Sequence, residues 1–171
     1  MLQKGFLFIV MKKVEHKLNV EVFDSIEELD QKDAFLLSEA RSVTQFAYAP
    51  YSNFHVGAVA KLLNGEIVIG TNQENAAYPA GICAERSLLS TAASMHPEVG
   101  IETMAITYHN FKGTSDTPVS PCGICRQVIA EFINRTHHPF RIILSGMEGE
   151  VQIIENGLQL LPLNFSAEDL K

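Results

Sequence analysis

Three cysteines and one glutamate carry the candidate chemistry of this sequence. Cys83 and Glu85 stand two apart in Gly81-Ile82-Cys83-Ala84-Glu85-Arg86, and Cys122 and Cys125 form a C-x-x-C in Ser120-Pro121-Cys122-Gly123-Ile124-Cys125-Arg126; the chain has no other cysteine. Three thiolates and one water make a tetrahedral Zn2+ site with an open position, which a catalytic zinc needs and a closed structural site lacks. Zinc lowers the pKa of a bound water from about 15.7 to nearer 7. A carboxylate close to the metal but not bound to it can take that proton and pass it on. At the start of a helix, side chains two apart diverge, so Cys83 can hold the metal while Glu85 reaches across the open face.

Each residue has a plainer reading. A C-x-x-C alone also fits a structural zinc half-site or a redox pair, and Cys122-Gly123-Ile124-Cys125 superficially resembles the thioredoxin motif. That motif belongs after an early strand, whereas here it comes late, and a redox pair leaves Cys83 without a part. Cys83 alone reads as a buried core thiol, and Glu85 alone as a solvated first-turn carboxylate favoured by the helix dipole. Their two-residue spacing argues for the joint reading. The six histidines, His16, His55, His96, His109, His137 and His138, show no helical pairing and no link to the cysteines, and read as surface or loop residues.

The elements that must position these residues follow from local pattern. Both cysteine segments precede helical stretches, Cys83 to Met95 and Cys122 to Asn134, with Pro121 suited to the first turn of the second. The sulfurs then sit at two helix N-termini, where roughly half a positive charge favours the thiolate, and the guanidinium of Arg86 or Arg126 can offset the remaining negative charge. Upstream, Lys17 to Phe23 alternates like a short edge strand. Ser25-Ile26-Glu27-Glu28 has capping-box spacing ahead of a helical run that continues to Phe46, in one piece or two. Phe54 to Leu63 and Glu66 to Gly70 flank Asn64-Gly65 and predict an antiparallel hairpin. Asn72 to Asn75 reads as a turn. Met104 to Tyr108, Phe140 to Leu144 and Val151 to Ile154 read as strands. The alternation predicts an α/β fold of three layers, α/β/α, around a mixed central sheet of about five strands.

The chain has 171 residues, enough for a single domain with a sizeable core. A net charge of −7 disfavours a nucleic-acid partner, because such binding rests on Lys and Arg neutralising phosphates. A small neutral substrate fits better. The apolar run Gly5 to Met11 is too short to span a membrane and lacks a cleavage site. With three unpaired cysteines, the expectation is a protein of the reducing cytoplasm. The first ten residues read as an upstream extension, with Met11-Lys12-Lys13 an alternative start.

The pairing of Cys83-x-Glu85 with a later Pro-Cys-x-x-Cys matches the signature of zinc nucleobase deaminases, with Cys83 where many have histidine. More closely, the sequence resembles the small homotetrameric cytidine deaminases with three cysteine ligands. The resemblance runs from about Ala47 to Leu170. It rests on Ala49-Pro50-Tyr51-Ser52 with Phe54-His55-Val56-Gly57-Ala58, on Asn72-Gln73-Glu74-Asn75-Ala76, on the two cysteine motifs, and on Leu160-Leu161-Pro162 before Phe165. It implies that Cys83, Cys122 and Cys125 hold Zn2+, that Glu85 shuttles protons, and that Arg86 hydrogen-bonds a ligand sulfur and tempers its charge. It further implies that Asn72 and Glu74 bind the ribose, that Phe54 stacks on the base, and that Ala84 and Phe165 contact substrate, Phe165 from a neighbouring subunit. The implied reaction is hydrolytic deamination of cytidine and deoxycytidine in pyrimidine salvage. The alternatives are another cytosine nucleoside, such as a nucleoside antibiotic, and a non-catalytic zinc-stabilised binding module. Typical members begin near the first helix, which divides the chain into an N-terminal extension, 1–30, partly disordered with one short strand, and a catalytic domain, 31–171.

Overall fold

The computed structural model describes residues 11–171; the apolar run before Met11 and the reading of the first ten residues lie outside them. In chain order the elements are β1 (Glu21–Phe23), α1 (Gln31–Val43), β2 (Phe54–Leu62), β3 (Ile67–Thr71), α2 (Ala84–Met95), β4 (Ile101–Asn110), α3 (Gly123–Thr136), β5 (Arg141–Ser145) and β6 (Val151–Ile154). They form a mixed six-stranded sheet in the order β1-β6-β5-β4-β2-β3. Among the described strands, β4 and β5 are the only neighbours that pair parallel. A parallel pair needs a crossover, and α3 supplies it.

Period-two alternation along the strands makes the three layers. Val59, Ala105, Ile143, Val151 and Ile153 face α1, which buries Leu36, Leu37, Ala40 and Val43 against them. Ala58, Ala60, Ile106, Ile142 and Leu144 face the other way, onto Leu88, Leu89 and Ala92 of α2 and Ile129, Phe132 and Ile133 of α3. The α/β/α expectation holds, with six strands in place of about five.

The sixth strand is β1, paired antiparallel with β6 from Glu21↔Ile153 to Phe23↔Val151. It is shorter than the alternating run Lys17 to Phe23 because β6 is itself only four residues long, and the backbone N–H of Asn19 goes instead to Gln159 Oε1. The first long helix also starts later than expected. Ser25 caps nothing with its side chain, and Ile26–Glu28 makes only a 3-10 turn. The cap is Asp30, whose Oδ1 accepts from Lys32 N at 2.8 Å and Asp33 N at 3.0 Å, a charge-assisted arrangement that the positive helix end favours. The run beyond Val43 tightens into a separate 3-10 turn, Thr44–Phe46.

The Asn64-Gly65 hairpin forms as expected. Lys61 pairs with Ile67, Leu62 N donates to Glu66 O at 2.8 Å, and Gly65 takes φ +89°, which a side chain would resist. Gly70, in β3, serves a different end. A Cβ there would overlap the carbonyl oxygen of Ala84 and the backbone nitrogen of Leu88, so its absence lets α2 lie directly on β3. Those neighbours are backbone atoms and cannot rotate away. Gly70→Ala is therefore expected to lower stability in urea unfolding by about 1–3 kcal/mol. Because Ala84 lies between Cys83 and Glu85, the variant should also lose bound zinc more readily to a chelator than the unaltered protein does.

Candidate metal centre and proton-transfer site

Cys83 is the N-cap of α2 and Cys122 the N-cap of α3, both with extended backbone, and Cys125 lies in the first turn of α3. Neither N-cap thiol makes a side-chain cap hydrogen bond, so both sulfurs are available to a metal. The three sulfurs lie within 4.8 Å of one another. Cys83 Sγ to Cys122 Sγ is 3.9 Å and Cys122 Sγ to Cys125 Sγ is 3.4 Å, and all three cysteines are free of disulfides. A tetrahedral zinc with bonds of about 2.3 Å spaces its sulfurs by about 3.8 Å. The donor set and its spacing fit that ion.

Pro121 is not in the first turn of α3, where its missing N–H would have suited it. It precedes the N-cap, is buried, and holds the approach to Cys122. Its carbonyl accepts from Arg126 Nε at 2.8 Å, and the same guanidinium donates from Nη1 to Leu160 O at 3.2 Å.

The thiols share protons. Cys83 is drawn down to about 6, first by a hydrogen bond from Cys125, against burial and the charge of Glu85, with Cys122 and the Arg86 guanidinium assisting. Cys125 is pushed up as the proton holder, by its hydrogen bond to Cys83 and by burial. Arg86 acts on this cluster through its charge; among the described residues its guanidinium makes no hydrogen bond to a sulfur in the single chain.

Glu85 is not a solvated first-turn carboxylate. It is 6% exposed, and burial raises its pKa, only partly opposed by its own backbone N–H and by Cys125. A carboxyl so placed holds and releases a proton more readily near neutrality than one in water.

A cavity of about 400 Å³ opens beside Glu85, Cys83 and Cys122. Its walls include Phe54, Val56, Ile106, Val119 and Ser120, and it takes in Asn72 and Glu74. The Phe54 ring stacks on Tyr108 with centroids 4.6 Å apart and planes 14° from parallel. Asn72 is not part of a free turn: Gln73 bridges to both Tyr48 and Ile82, and the Asn72 amide bonds the β2 backbone, Oδ1 accepting from Val56 N at 2.7 Å and Nδ2 donating to Phe54 O at 2.9 Å. Glu74 Oε2 accepts from Tyr51 N at 2.9 Å and Ser52 N at 3.3 Å. Burial pushes Glu74 up, but these N–H groups and the Ser52 hydroxyl outweigh it and hold its carboxyl below the ordinary range. A second cavity of about 520 Å³, lined by Tyr51, Tyr78 and Ile82, adjoins the first through Ser52, Asn72, Glu74 and Cys83.

Ala84 is fully buried between Cys83 and Glu85 and is not part of the cavity wall, so the structure does not bring it to a substrate as expected. Phe165 is the residue that does not join the others: it is 59% exposed, with its carbonyl held by Gln127 Nε2 at 2.8 Å. The sequence reading missed Tyr108 beneath Phe54 and the anchoring bonds of Arg126. Two histidines also leave the surface-or-loop reading. His55 and His109 are cross-strand partners on β2 and β4, both in contact with the Phe111 ring.

Buried carboxyl, three-thiol cluster and cavity together define a metal-dependent hydrolytic site on an α/β/α scaffold. Residues 30–137 match the family model for the cytidine and deoxycytidylate deaminase zinc-binding region, and the chain belongs to that family. It is 38% identical over 135 residues to a cytidine deaminase of Sporosarcina psychrophila, covering 79% of this chain and 92% of the relative. A cytidine deaminase of Halalkalibacterium halodurans is likewise 38% identical over 137 residues, covering 79% and 95%. The crystal structure of cytidine deaminase from Burkholderia pseudomallei superposes with a TM-score of 0.66 at 34% identity, covering 77% of this chain and 97% of that one.

Two outcomes check the metal centre. Cys122→Ala should lose zinc and thermal stability together, whereas Glu85→Gln should keep zinc near one per chain by elemental analysis. Since Cys125 retains its proton in the metal-free cluster, zinc uptake should release protons, and apparent affinity should fall as pH is lowered. Calorimetric titration in buffers of different ionisation enthalpy reads that release directly.

Proposed function

We infer that the protein is a zinc-dependent cytidine deaminase, converting cytidine and deoxycytidine with water to uridine and deoxyuridine plus ammonia. The observation that carries this reading is the buried carboxyl of Glu85 beside three clustered thiols, facing a cavity that also holds Phe54, Asn72 and Glu74. Cys83, Cys122 and Cys125 hold the zinc, which when bound supplies a water that is readily deprotonated at neutral pH. With that ion in place, Glu85 would be positioned to accept one proton from the water and pass it to N3 as the water oxygen bonds C4, then to accept the second proton from that oxygen and give it to the amine as the C4–N bond breaks. Its burial, which raises its pKa, suits both the uptake and the release.

The remaining residues bind and orient. Phe54, backed by Tyr108, offers the base an aromatic face. Asn72 and Glu74 hydrogen-bond the ribose hydroxyls. The Glu74 carboxyl, held ionised by its backbone donors, repels a 5′-phosphate and so favours the nucleoside. Ala84, buried against β3 beside Glu85, fixes the start of α2, and Arg86 offsets the charge of the thiolates. The family match beginning at residue 30 supports 31–171 as the catalytic domain and 1–30 as an extension. No helix among the described residues is long and apolar enough to cross a membrane. We place the reaction in pyrimidine salvage and the protein in the cytoplasm, as its reduced cysteines suit.

The working form is a homotetramer in which Phe165 of one subunit covers the base in another. The exposure of Phe165 in the single chain, and separately that of Tyr51 and Tyr78 at the adjoining cavity, supports this assembly.

Incubation with cytidine, deoxycytidine, cytidine monophosphate and cytosine, followed by ultraviolet absorbance, is expected to show turnover of the two nucleosides and little of the others. Cytosine turned over as efficiently as cytidine would remove the ribose roles of Asn72 and Glu74. Glu85→Gln should lose about 10²–10⁴-fold in kcat. Phe165→Ala should weaken substrate binding without loss of zinc, and activity per chain should fall on dilution; a fully active monomer by light scattering would defeat the shared site.

A further inference from the structure

We propose that Arg126 is a positioning residue that sets one wall of the substrate cavity; the inference rests on reading that cavity as the nucleoside pocket. The wall is the segment Pro118-Val119-Ser120-Pro121, of which Val119 and Ser120 line the cavity directly opposite no strand or helix partner of their own. Two of its four residues are prolines and donate no backbone hydrogen bond. Among the described residues, the sole hydrogen bond made by this segment is the one Pro121 O accepts from Arg126 Nε, at 2.8 Å. Upstream the loop is anchored at Ser115, whose Oγ accepts from Asn110 N at 2.9 Å and whose carbonyl accepts from Glu148 N at 3.2 Å; between that anchor and the segment the one further hydrogen bond among the described residues is between Tyr108 OH and Thr117 Oγ1, 3.4 Å apart.

The position of the arginine is informative. A cation in the first turns of a helix stands against the helix dipole, so some other interaction must favour it there. Pro121 is buried, and its carbonyl would otherwise be left unsatisfied at considerable cost. A guanidinium has a rigid fork of donors, and Arg126 uses two of them at once: Nε on Pro121 O, and Nη1 on the carbonyl of Leu160, a residue buried in the core with α3. The wall is thereby tied to the core element behind it. Lysine has one compact charged head and cannot span both carbonyls. Arg126 touches neither the sulfurs nor the reacting atoms, so its effect should fall on substrate fit and leave the metal alone.

The test uses the full-length zinc-loaded protein and its Arg126→Gln and Arg126→Lys variants. In Arg126→Gln the KM for cytidine should rise roughly tenfold while kcat holds, because a displaced wall weakens binding before chemistry. Zinc content should stay near one per chain. Arg126→Lys should recover part of the loss through a single bond to Pro121 O. Amide hydrogen exchange, which needs no turnover, should quicken in the loop 111–120 of Arg126→Gln while α3 stays protected. If the unaltered protein does not deaminate cytidine, the functional reading fails and the exchange result alone decides the role of Arg126. Unchanged exchange together with unchanged KM would overturn the proposal. So would loss of zinc in step with loss of activity in both variants, which would place Arg126 in service of the metal.

Discussion

Three thiols gathered at two helix N-termini are the constraint on which the rest of the structure depends. For them to meet, α2 and α3 must lie on one face of the sheet with their N-termini at one rim. The topology ensures this. β3 and β4 both pair antiparallel with β2 and therefore run in the same direction, so the chain leaves both at the same rim before entering α2 and α3. The start of β2 returns to that rim and brings Phe54 opposite Asn110, at the end of β4. The clustered thiols, the buried carboxyl and the cavity wall thus come from neighbouring strand ends, although the two cysteine segments are far apart in sequence.

That gathering creates an electrostatic conflict. Glu85 and the sulfurs are all anionic or potentially so, and the charge of Glu85 pushes up the very thiol, Cys83, that the cluster draws down. Helix dipoles and Arg86 relieve part of this, and a bound divalent cation relieves most of the rest. Without metal the group holds protons where it needs thiolates. The structure offsets the cost by fastening α2 firmly: Ala84, Leu88, Leu89 and Ala92 are all buried, and Gly70 lets the helix lie against β3. Glu85, a buried carboxyl beside the thiols, thus sits on a helix whose other face is packed into the core.

What could be read in the sequence was local. The cysteine spacing, Glu85, the Asn64-Gly65 hairpin and the strand Val151–Ile154 each carry their signal within a few residues. What could not be read depends on contacts between distant segments. Asp30 and Ser25 are both sound cap residues, and only docking of α1 on the sheet selects Asp30. The sixth strand exists because β6 presents a short free edge. Tyr108 beneath Phe54, and Arg126 reaching both Pro121 and Leu160, follow from strand register and from the crossover, neither of which short-range spacing encodes. His55 and His109 meet for the same reason.

Asn72 shows how one side chain can serve fold and site together. Backbone pairing between β2 and β3 reaches its last register partners at Gly57 and Thr71. One residue further, the Asn72 amide continues the ladder in place of a strand, accepting from Val56 N and donating to Phe54 O. Its two polar atoms therefore bracket the backbone that carries the Phe54 ring. An amide has two donors and an acceptor with two lone pairs, so one donor and one lone pair remain for a ligand. If the ribose takes them, sugar binding and base stacking are joined through a single rigid group. An alanine at this position would then disturb both at once, whereas a change at Glu74, whose bonds run to Tyr51 and Ser52 instead, would leave the Phe54 ring in place.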